Sequence, residues 1–343
     1  MRPARSRLWL MAVLLALAVA TPSAGLAATA VKVALPFDSL NYFPTFIADR
    51  KGFFKDESLD VEIIVAGSGA KTAAALASGS VQFADTGFDH AIKATAKGRR
   101  HIALVGNIWG YPNFLVVSKA ALKARGITSA APIEEKLKAL KGLRIGATSP
   151  GSSTYVVLHR MITLAGLEPD RDTAIAPMGG NPGPSAVAAL DKNQIDAFLL
   201  PSPFPEMVVV KGRADIFIRA SEVPDFRNWL HVTLQTTPEY LEKNRDTARR
   251  YVKAIVRAHH FIKDRRAEAL EVATGLFSRT DPAIVTFALD NILPMFPREP
   301  LITRLHYDTV LALRTKEEGN LVNVPFDSVV DLSFVEQAIR ELK

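Results

Sequence analysis

The stretch Leu35-Pro-Phe-Asp-Ser-Leu-Asn-Tyr-Phe-Pro-Thr-Phe-Ile-Ala-Asp-Arg-Lys-Gly-Phe-Phe-Lys-Asp-Glu-Ser-Leu-Asp-Val-Glu62 carries a strand end, a loop, a helix, a stop and a second strand. Val31, Val33 and Leu35 alternate with Lys32 and Ala34, the period of a strand, and Pro36 ends it. Asp38 to Pro44 is a loop holding an acid, an amide and two aromatics. Pro44 stands where a helix begins, because its fixed φ suits a first helical position and its missing N–H leaves no bond unmade. Phe46, Ile47, Arg50 and Phe54 mark that short helix and Gly52 closes it. Leu59, Val61, Ile63 and Val65 then alternate with Asp60, Glu62 and Ile64. A strand, a ligand-sized loop, a helix and a strand in this order open an α/β domain.

Pro44 to Glu62 resembles the P-x-x-x-A-x-x-x-G-F-F-K-x-E-x-L-x-V-E segment of the solute-binding proteins that serve ABC importers for nitrate, sulfonate, taurine and thiamine-pyrimidine-type compounds. Pro44, Ala48, Gly52, Phe53, Phe54, Lys55, Glu57, Leu59, Val61 and Glu62 match it. Ser58 departs, since glycine is usual there. The resemblance runs over Val31 to Lys343 and is densest at Pro44–Glu62, then at Gly151–Pro169. It implies an α/β, two-lobed periplasmic-binding-protein type II fold. Each lobe would be a mostly parallel sheet flanked by helices, with a helical cluster at the C-terminus. It also implies a monomer that closes two lobes on a small organic solute and delivers it to an ABC permease in the inner membrane.

The 343 residues are enough for two domains with real cores. The formal charge is +7; Arg2, Arg5 and Arg7 account for three, so 7 − 3 leaves +4 beyond residue 27. That balance gives no case for nucleic acid, which calls for a concentrated basic stripe. The three arginines precede an apolar run, Leu8–Ala20, followed by Pro22 and small residues, the pattern of a cleaved secretory signal peptide over 1–27. Gly25 and Ala27 place small residues three and one before a cut after Ala27; cuts after Ala28 or Ala30 fit as well. There is no cysteine. A lipoprotein anchor, disulfides, thiol catalysis and cysteine-based metal sites are thereby excluded. The expected location is the periplasm.

Further along, Ala66-Gly-Ser-Gly-Ala-Lys-Thr72 feeds an alanine-rich helix. It fits neither nucleotide-binding glycine pattern, but Ser68 and Gly69 at a helix start can hold an anion or a polar group. Phe88 and Asp89 follow the strand Val81–Asp85; Asp89 is placed either to cap a helix or to touch a ligand as an acid. Trp109 and Tyr111 lie in a Gly/Pro loop after the strand Ile102–Val105, where aromatics commonly line pockets. From Lys119 the βαβα rhythm restarts. Thr148-Ser-Pro-Gly-Ser-Ser-Thr154 opens a helix, and Ser149, Gly151, Ser152 and Ser153 suit an anion at its positive end. In the resembled family, Gly-Ser-Ser at this helix start holds the ligand's acidic group. Asn181 and Ser202 stand in two further loops after strands. Residues 75–83 and 189–198 share one rhythm, which suggests two similarly built lobes.

The expected division is residues 28–118 with 230–343 as lobe one and 119–229 as lobe two, with crossings near Ser118 and Trp229. Asp38, Asn41, Tyr42, Ser68, Gly69, Phe88, Asp89, Trp109 and Tyr111 would face the solute from lobe one. Ser149, Gly151, Ser152, Ser153, Asn181 and Ser202 would face it from lobe two. The tail after Pro238 is all helical, and Arg249, Arg250, Lys253 and Arg257 share one side of the helix that Asp246 begins, either as a solvated face or as a docking surface.

No Gly-x-Ser-x-Gly, His-Glu-x-x-His or EF-hand loop occurs, and the seven histidines have no metal-ligand spacing on one helix face. No cofactor or metal is expected. The chain is read as a binder and not an enzyme; resemblance to the related pyrimidine-synthesising enzymes would require a cysteine- and histidine-rich site, and this chain has no cysteine. The solute is expected to be sulfonate- or taurine-like, pyrimidine-like or an aromatic acid. Asp38 and Asp89 beside an anion-type loop point toward a zwitterion or a heteroaromatic with ring donors. An exported sensor that touches a receptor kinase, or an enzyme of the pyrimidine-synthesising type, is the alternative.

Overall fold

The computed structural model of the chain describes residues 28–179, 181–318 and 324–343; the signal-peptide expectation at 1–27 lies outside the described residues. β1 (Thr29–Leu35) buries Val31, Val33 and Leu35 and exposes Lys32, as its alternation requires. Pro44 lies in the first turn of α1 (Phe43–Arg50). Gly52, at φ +75°, ends α1 and separates it from the single turn α2 (Phe53–Asp56). Ser58, at φ +52°, then turns the chain into β2 (Leu59–Val65). That left-handed backbone is why glycine suits the position. β1 pairs with β2 from Thr29↔Leu59 onward, so a cut after Ala30 would remove two rungs that a cut after Ala27 leaves in place.

The first lobe continues with α3 (Gly69–Ala77), β3 (Phe83–Gly87), α4 (Phe88–Ala96) and β4 (Ile102–Gly106). The chain then crosses into β5 (Asn113–Ser118), α5 (Lys119–Arg125), α6 (Ile133–Lys138), β6 (Arg144–Ala147) and α7 (Ser153–Leu164). After these come β7 (Ala174–Pro177), α8 (Pro182–Asp191), β8 (Ala197–Pro201), α9 (Phe204–Val210) and β9 (Ala214–Arg219). It returns in β10 (Val232–Thr236) and ends in α10 (Pro238–Asp264), α11 (Arg266–Leu276), α12 (Pro282–Ile292), α13 (Arg304–Glu318) and α14 (Ser333–Glu341).

The two sheets are ordered β2-β1-β3-β10-β4 and β7-β6-β8-β5-β9. In each, four strands are parallel and one runs against them: β10 in the first sheet and β5 in the second. The antiparallel strand is in each case the one that has just arrived from the other lobe. β5 is buried along its whole length inside the second sheet, between β8 and β9. The first crossing is therefore at residues 107–112, and the expectation of a crossing near Ser118 is corrected: an apolar run buried on both faces has the same pattern in either sheet.

The two crossings pair with each other. The Gly110 N–H donates to the Trp229 carbonyl at 2.5 Å, His231 N–H to Ile108 O at 3.1 Å, and Asn107 N–H to Val232 O at 2.8 Å. Trp229 is fully buried between them, edge-on to Tyr111 and Phe226. The apolar cluster around this ribbon includes Phe88 of α4, Leu115 of β5 and Val310 and Leu313 of α13, so one core passes through the hinge.

The basic side of α10 is occupied by the chain's own acids. Arg250 pairs with Asp246 and donates to the carbonyls of Glu57 and Ser58; Lys253 pairs with Glu57 and Arg257 with Asp56. These residues fasten the turn between α2 and β2, which removes the case for a docking surface there.

Candidate functional site

The C-terminal ends of the strands of both sheets face each other, the usual ligand position in open α/β sheets. They enclose a chamber of about 20 Å³ lined by Phe37, Asn41, Tyr42, Gly69, Thr86 and Gly87 from the first lobe, by Asn113, Thr148, Ser152, Ser153 and Thr154 from the second, and by His231 of the hinge. Two helix N-termini meet there. Ser68 caps α3 by accepting from the Lys71 N–H, which leaves Gly69 at the helix start against the chamber. Ser152 caps α7 by accepting from the Tyr155 N–H, and its hydroxyl shares a hydrogen bond with Thr148. The first N–H groups of each helix have no acceptor within the helix and carry its positive end.

The polar wall is largely prearranged. Asn41 Nδ2 donates to Asn113 Oδ1 at 3.1 Å across the lobes, and Asn113 Nδ2 donates to Thr154 Oγ1 and to Tyr111 Oη. Asn41 Oδ1 and His231 Nδ1 are buried with no hydrogen-bond partner among the described residues. Burial holds His231 at about 4, with Asp89 opposing and His90 adding, so the ring is neutral near pH 7. Burial, with Asp85 and Tyr111 nearby, pushes Tyr42 well above its ordinary value, so its hydroxyl remains a donor.

Beside the chamber, Ser153 Oγ donates to Asp89 Oδ1 at 2.5 Å, and Arg314 Nη2 of α13 stands 2.7 Å from Asp89 Oδ2. Burial works to raise the Asp89 carboxyl, but the Arg314 guanidinium, helped by His90, Ser153 and His231, more than reverses this and holds it at about 2. The carboxylate is neutralised from behind, and no lysine or arginine lines the chamber among the described residues. Gly87 makes this closeness possible: a Cβ there would lie 2.2 Å from both Asp89 Oδ1 and Ser153 Oγ.

Of the residues singled out in the sequence, Asn41, Tyr42, Gly69, Ser152 and Ser153 line the chamber and Asp89 abuts it. Ser68 acts as a cap and not as a lining residue. Asp89 does not cap α4; Gly87 holds that position, without a side-chain bond. Phe88 is fully buried against Tyr307. Trp109 is on the outer surface, 37% exposed, with its indole N–H on the Leu301 carbonyl. Tyr111 is packed behind Asn113 in the hinge core. The Ser149 carbonyl accepts the Ser152 N–H, and Gly151 borders a separate hollow beside α3 and α4. Ser202 is buried, its hydroxyl donating to Glu206 and its carbonyl accepting the Leu40 N–H from the other lobe. Asp38 and Asn181 are exposed and line a different groove. With Asp38 outside the chamber and Asp89 neutralised by Arg314, the chamber does not present two free acids to a zwitterion. Thr86, Gly87, Asn113, Thr148, Thr154, His231 and Arg314 were not singled out; only the fold brings them together.

Two lobes with crossing strands and a chamber at their strand ends define a two-lobed α/β protein of the periplasmic-binding-protein type. The chain belongs to the NMT1-like family, whose model matches residues 28–276. YtlA of Bacillus subtilis (strain 168) is 23% identical over 321 residues, 91% of each chain. A solved protein of Bordetella bronchiseptica RB50 is 26% identical with a TM-score of 0.80, over 92% of this chain and 98% of that one. The periplasmic aliphatic sulphonate binding protein SsuA of Escherichia coli shares the fold at 16% identity and a TM-score of 0.63, over 86% and 94%. The desulfurization enzyme DszB shares it at 11% and 0.64, over 92% and 100%.

Proposed function

We propose that the protein is the extracytoplasmic solute-binding component of an ABC-type importer, exported to the periplasm with loss of residues 1–27, working as a monomer and handing its solute to a permease. We infer further that the solute carries an acidic group. One observation carries this reading: the N-termini of α3 and α7, one from each lobe, converge on a chamber that both lobes close. The protonated Tyr42 hydroxyl and Thr154 add donors, and among the described residues no carboxylate lines the space. The sulphonate-binding neighbour supports the same class of cargo. Because the fold also carries an enzyme, fold alone does not decide between binding and catalysis. The chain's lack of cysteine and the polar, thiol-free lining favour binding.

The test is a thermal-shift screen of the chain from Ala28 against taurine, alkanesulfonates, nitrate, aminopyrimidines, thiamine, and aromatic carboxylates and sulfonates. A ligand at 100-fold its dissociation constant adds about 2.7 kcal/mol. The reading expects a rise of several degrees with one class of acid. A rise with aminopyrimidines or thiamine alone, and none with any acid, would overturn the acidic-solute reading.

A further inference from the structure

A second hollow of about 540 Å³ lies beside the chamber, between α8 and α9 of the second lobe and the C-terminal end of α11 in the first. Val187, Phe204, Met207, Leu276 and Phe277 give it an apolar stretch of wall, and Asp38, Asp191 and Arg279 are the charged residues around it. Asp38 stands at its edge, and the preceding residue, Phe37, lines the chamber. Phe37 comes from the first lobe but is buried in the same apolar cluster as Phe204 of the second. The ring of Phe204 lies so close to α8 that a Cβ on Gly183 would come within 2.2 Å of it. Phe37 is edge-on to Tyr42 on the chamber side, with ring centroids 6.2 Å apart. The polar chamber and the apolar groove are thus neighbouring spaces with the Phe37 and Phe204 side chains between them.

The volumes decide what each can hold. A space of about 20 Å³ takes little more than one water-sized group, whereas ligand sites for organic molecules run to about 300–1,000 Å³. An acid group fits at the helix N-termini, but its carbon skeleton has to extend elsewhere, and the groove is the adjoining space large enough and apolar enough to receive it. Resting on the acidic-solute reading above, we propose that the groove is the second half of the binding site and takes the apolar tail of an amphipathic organic acid, with Phe37 as the partition that moves aside. The groove has walls from both lobes, so filling it also favours the closed form. Its edge acid Asp191 is held by Arg213 at 3.5 Å and does not oppose an apolar occupant.

The test is calorimetric titration of the chain from Ala28 with two series, straight-chain carboxylates from acetate to octanoate and the matching alkanesulfonates. Each methylene entering the groove should tighten binding about fourfold until the groove is full. Met207→Lys and Val187→Lys, at half-buried positions on the groove wall, should each flatten this dependence while leaving the shortest acid's affinity unchanged. If short acids bind and length adds nothing, or if both variants keep the full length dependence, the groove proposal is overturned and the acidic-solute reading stands. If no member of either series binds while another acid of the thermal-shift panel does, the groove proposal falls and the acidic-solute reading stands; if no acid of either experiment binds, both fall.

Discussion

Ser153 Oγ at the start of α7 donates to Asp89 Oδ1 on α4 of the opposite lobe at 2.5 Å, and Arg314 backs the same carboxylate at 2.7 Å. The bond spans the two lobes, so in the proposed opening and closing it would form only in the closed state. Ser152→Ala combined with Ser153→Ala should weaken solute binding more than tenfold while lowering stability by only about 1 kcal/mol per lost hydrogen bond. Gly87→Ala should weaken binding similarly, because its Cβ would wedge into this contact. Asp89→Ala should cost about 3–5 kcal/mol in urea unfolding, since it removes the carboxylate facing a buried guanidinium. An Asp89→Ala protein that unfolds at the wild-type midpoint would show that the pair contributes nothing.

The pH dependence of stability has opposed components. Burial lifts Asp85 to about 7 although Thr45 and Asn107 both donate to it. Its folded value exceeds the ordinary 3.8, so the native state keeps a proton that the unfolded chain releases, and stability declines as pH rises from about 4 to about 7. Burial lowers His101 and His231 to about 4 and His259 to about 3, from 6.5. There the unfolded chain takes up protons first, so stability falls as pH drops below about 6.5. Three histidines outweigh one aspartate. Wild-type protein should gain stability from pH 4 to 6.5, and Asp85→Asn should steepen that gain and abolish the decline toward pH 7. Urea midpoints at pH 4.5, 6.5 and 8 check this; an unchanged slope in Asp85→Asn would refute the role given to Asp85. Asp89, held at about 2, adds its own loss only as pH falls below about 4.

Ser58 holds a left-handed backbone, φ +52°, between α2 and β2, with its carbonyl accepting from Arg250. A non-glycine residue there costs about 1–2 kcal/mol, partly offset by the greater unfolded-state freedom of glycine. Ser58→Gly should therefore stabilise by about 0.5–1 kcal/mol, and Ser58→Val should destabilise. Denaturant midpoints of the two variants decide it, and a destabilised glycine variant would contradict the strain.

Trp109 bonds Leu301 through its indole and leans on the His306 ring, away from the chamber. Trp109→Ala should leave solute affinity within about twofold while lowering stability by about 1 kcal/mol. A large loss of affinity with unchanged stability would return it to the site.

The β1–α1–β2 segment was legible because its determinants are local: alternating Val31, Val33 and Leu35, Pro44 in the first helical turn, and Gly52 at φ +75°. Gly69, Ser152 and Ser153 were legible for the same reason, since serine and glycine at a helix start announce free N–H groups. Asn113 and His231 carry no such mark; they reach the chamber because β5 and β10 exchange lobes, whereas Thr148 reaches it at the end of β6. Arg314 is far from Asp89 in the chain, and only the packing of α13 against α4 brings them together. Trp109 and Tyr111 misled because aromatics between glycine and proline look alike in a pocket wall and in a hinge ribbon.

The central claim is that an acid at the two helix N-termini draws the lobes together, and it is measured most directly as an interlobe distance. The chain has no cysteine, so spin labels at Lys97→Cys in the first lobe and Lys192→Cys in the second, both exposed positions, report it without interference. With hexanoate or hexanesulfonate added, the distance distribution should shorten and narrow, and the Ser152→Ala/Ser153→Ala background should abolish the change. A distribution that stays the same in the presence of an acid shown calorimetrically to bind would contradict the account.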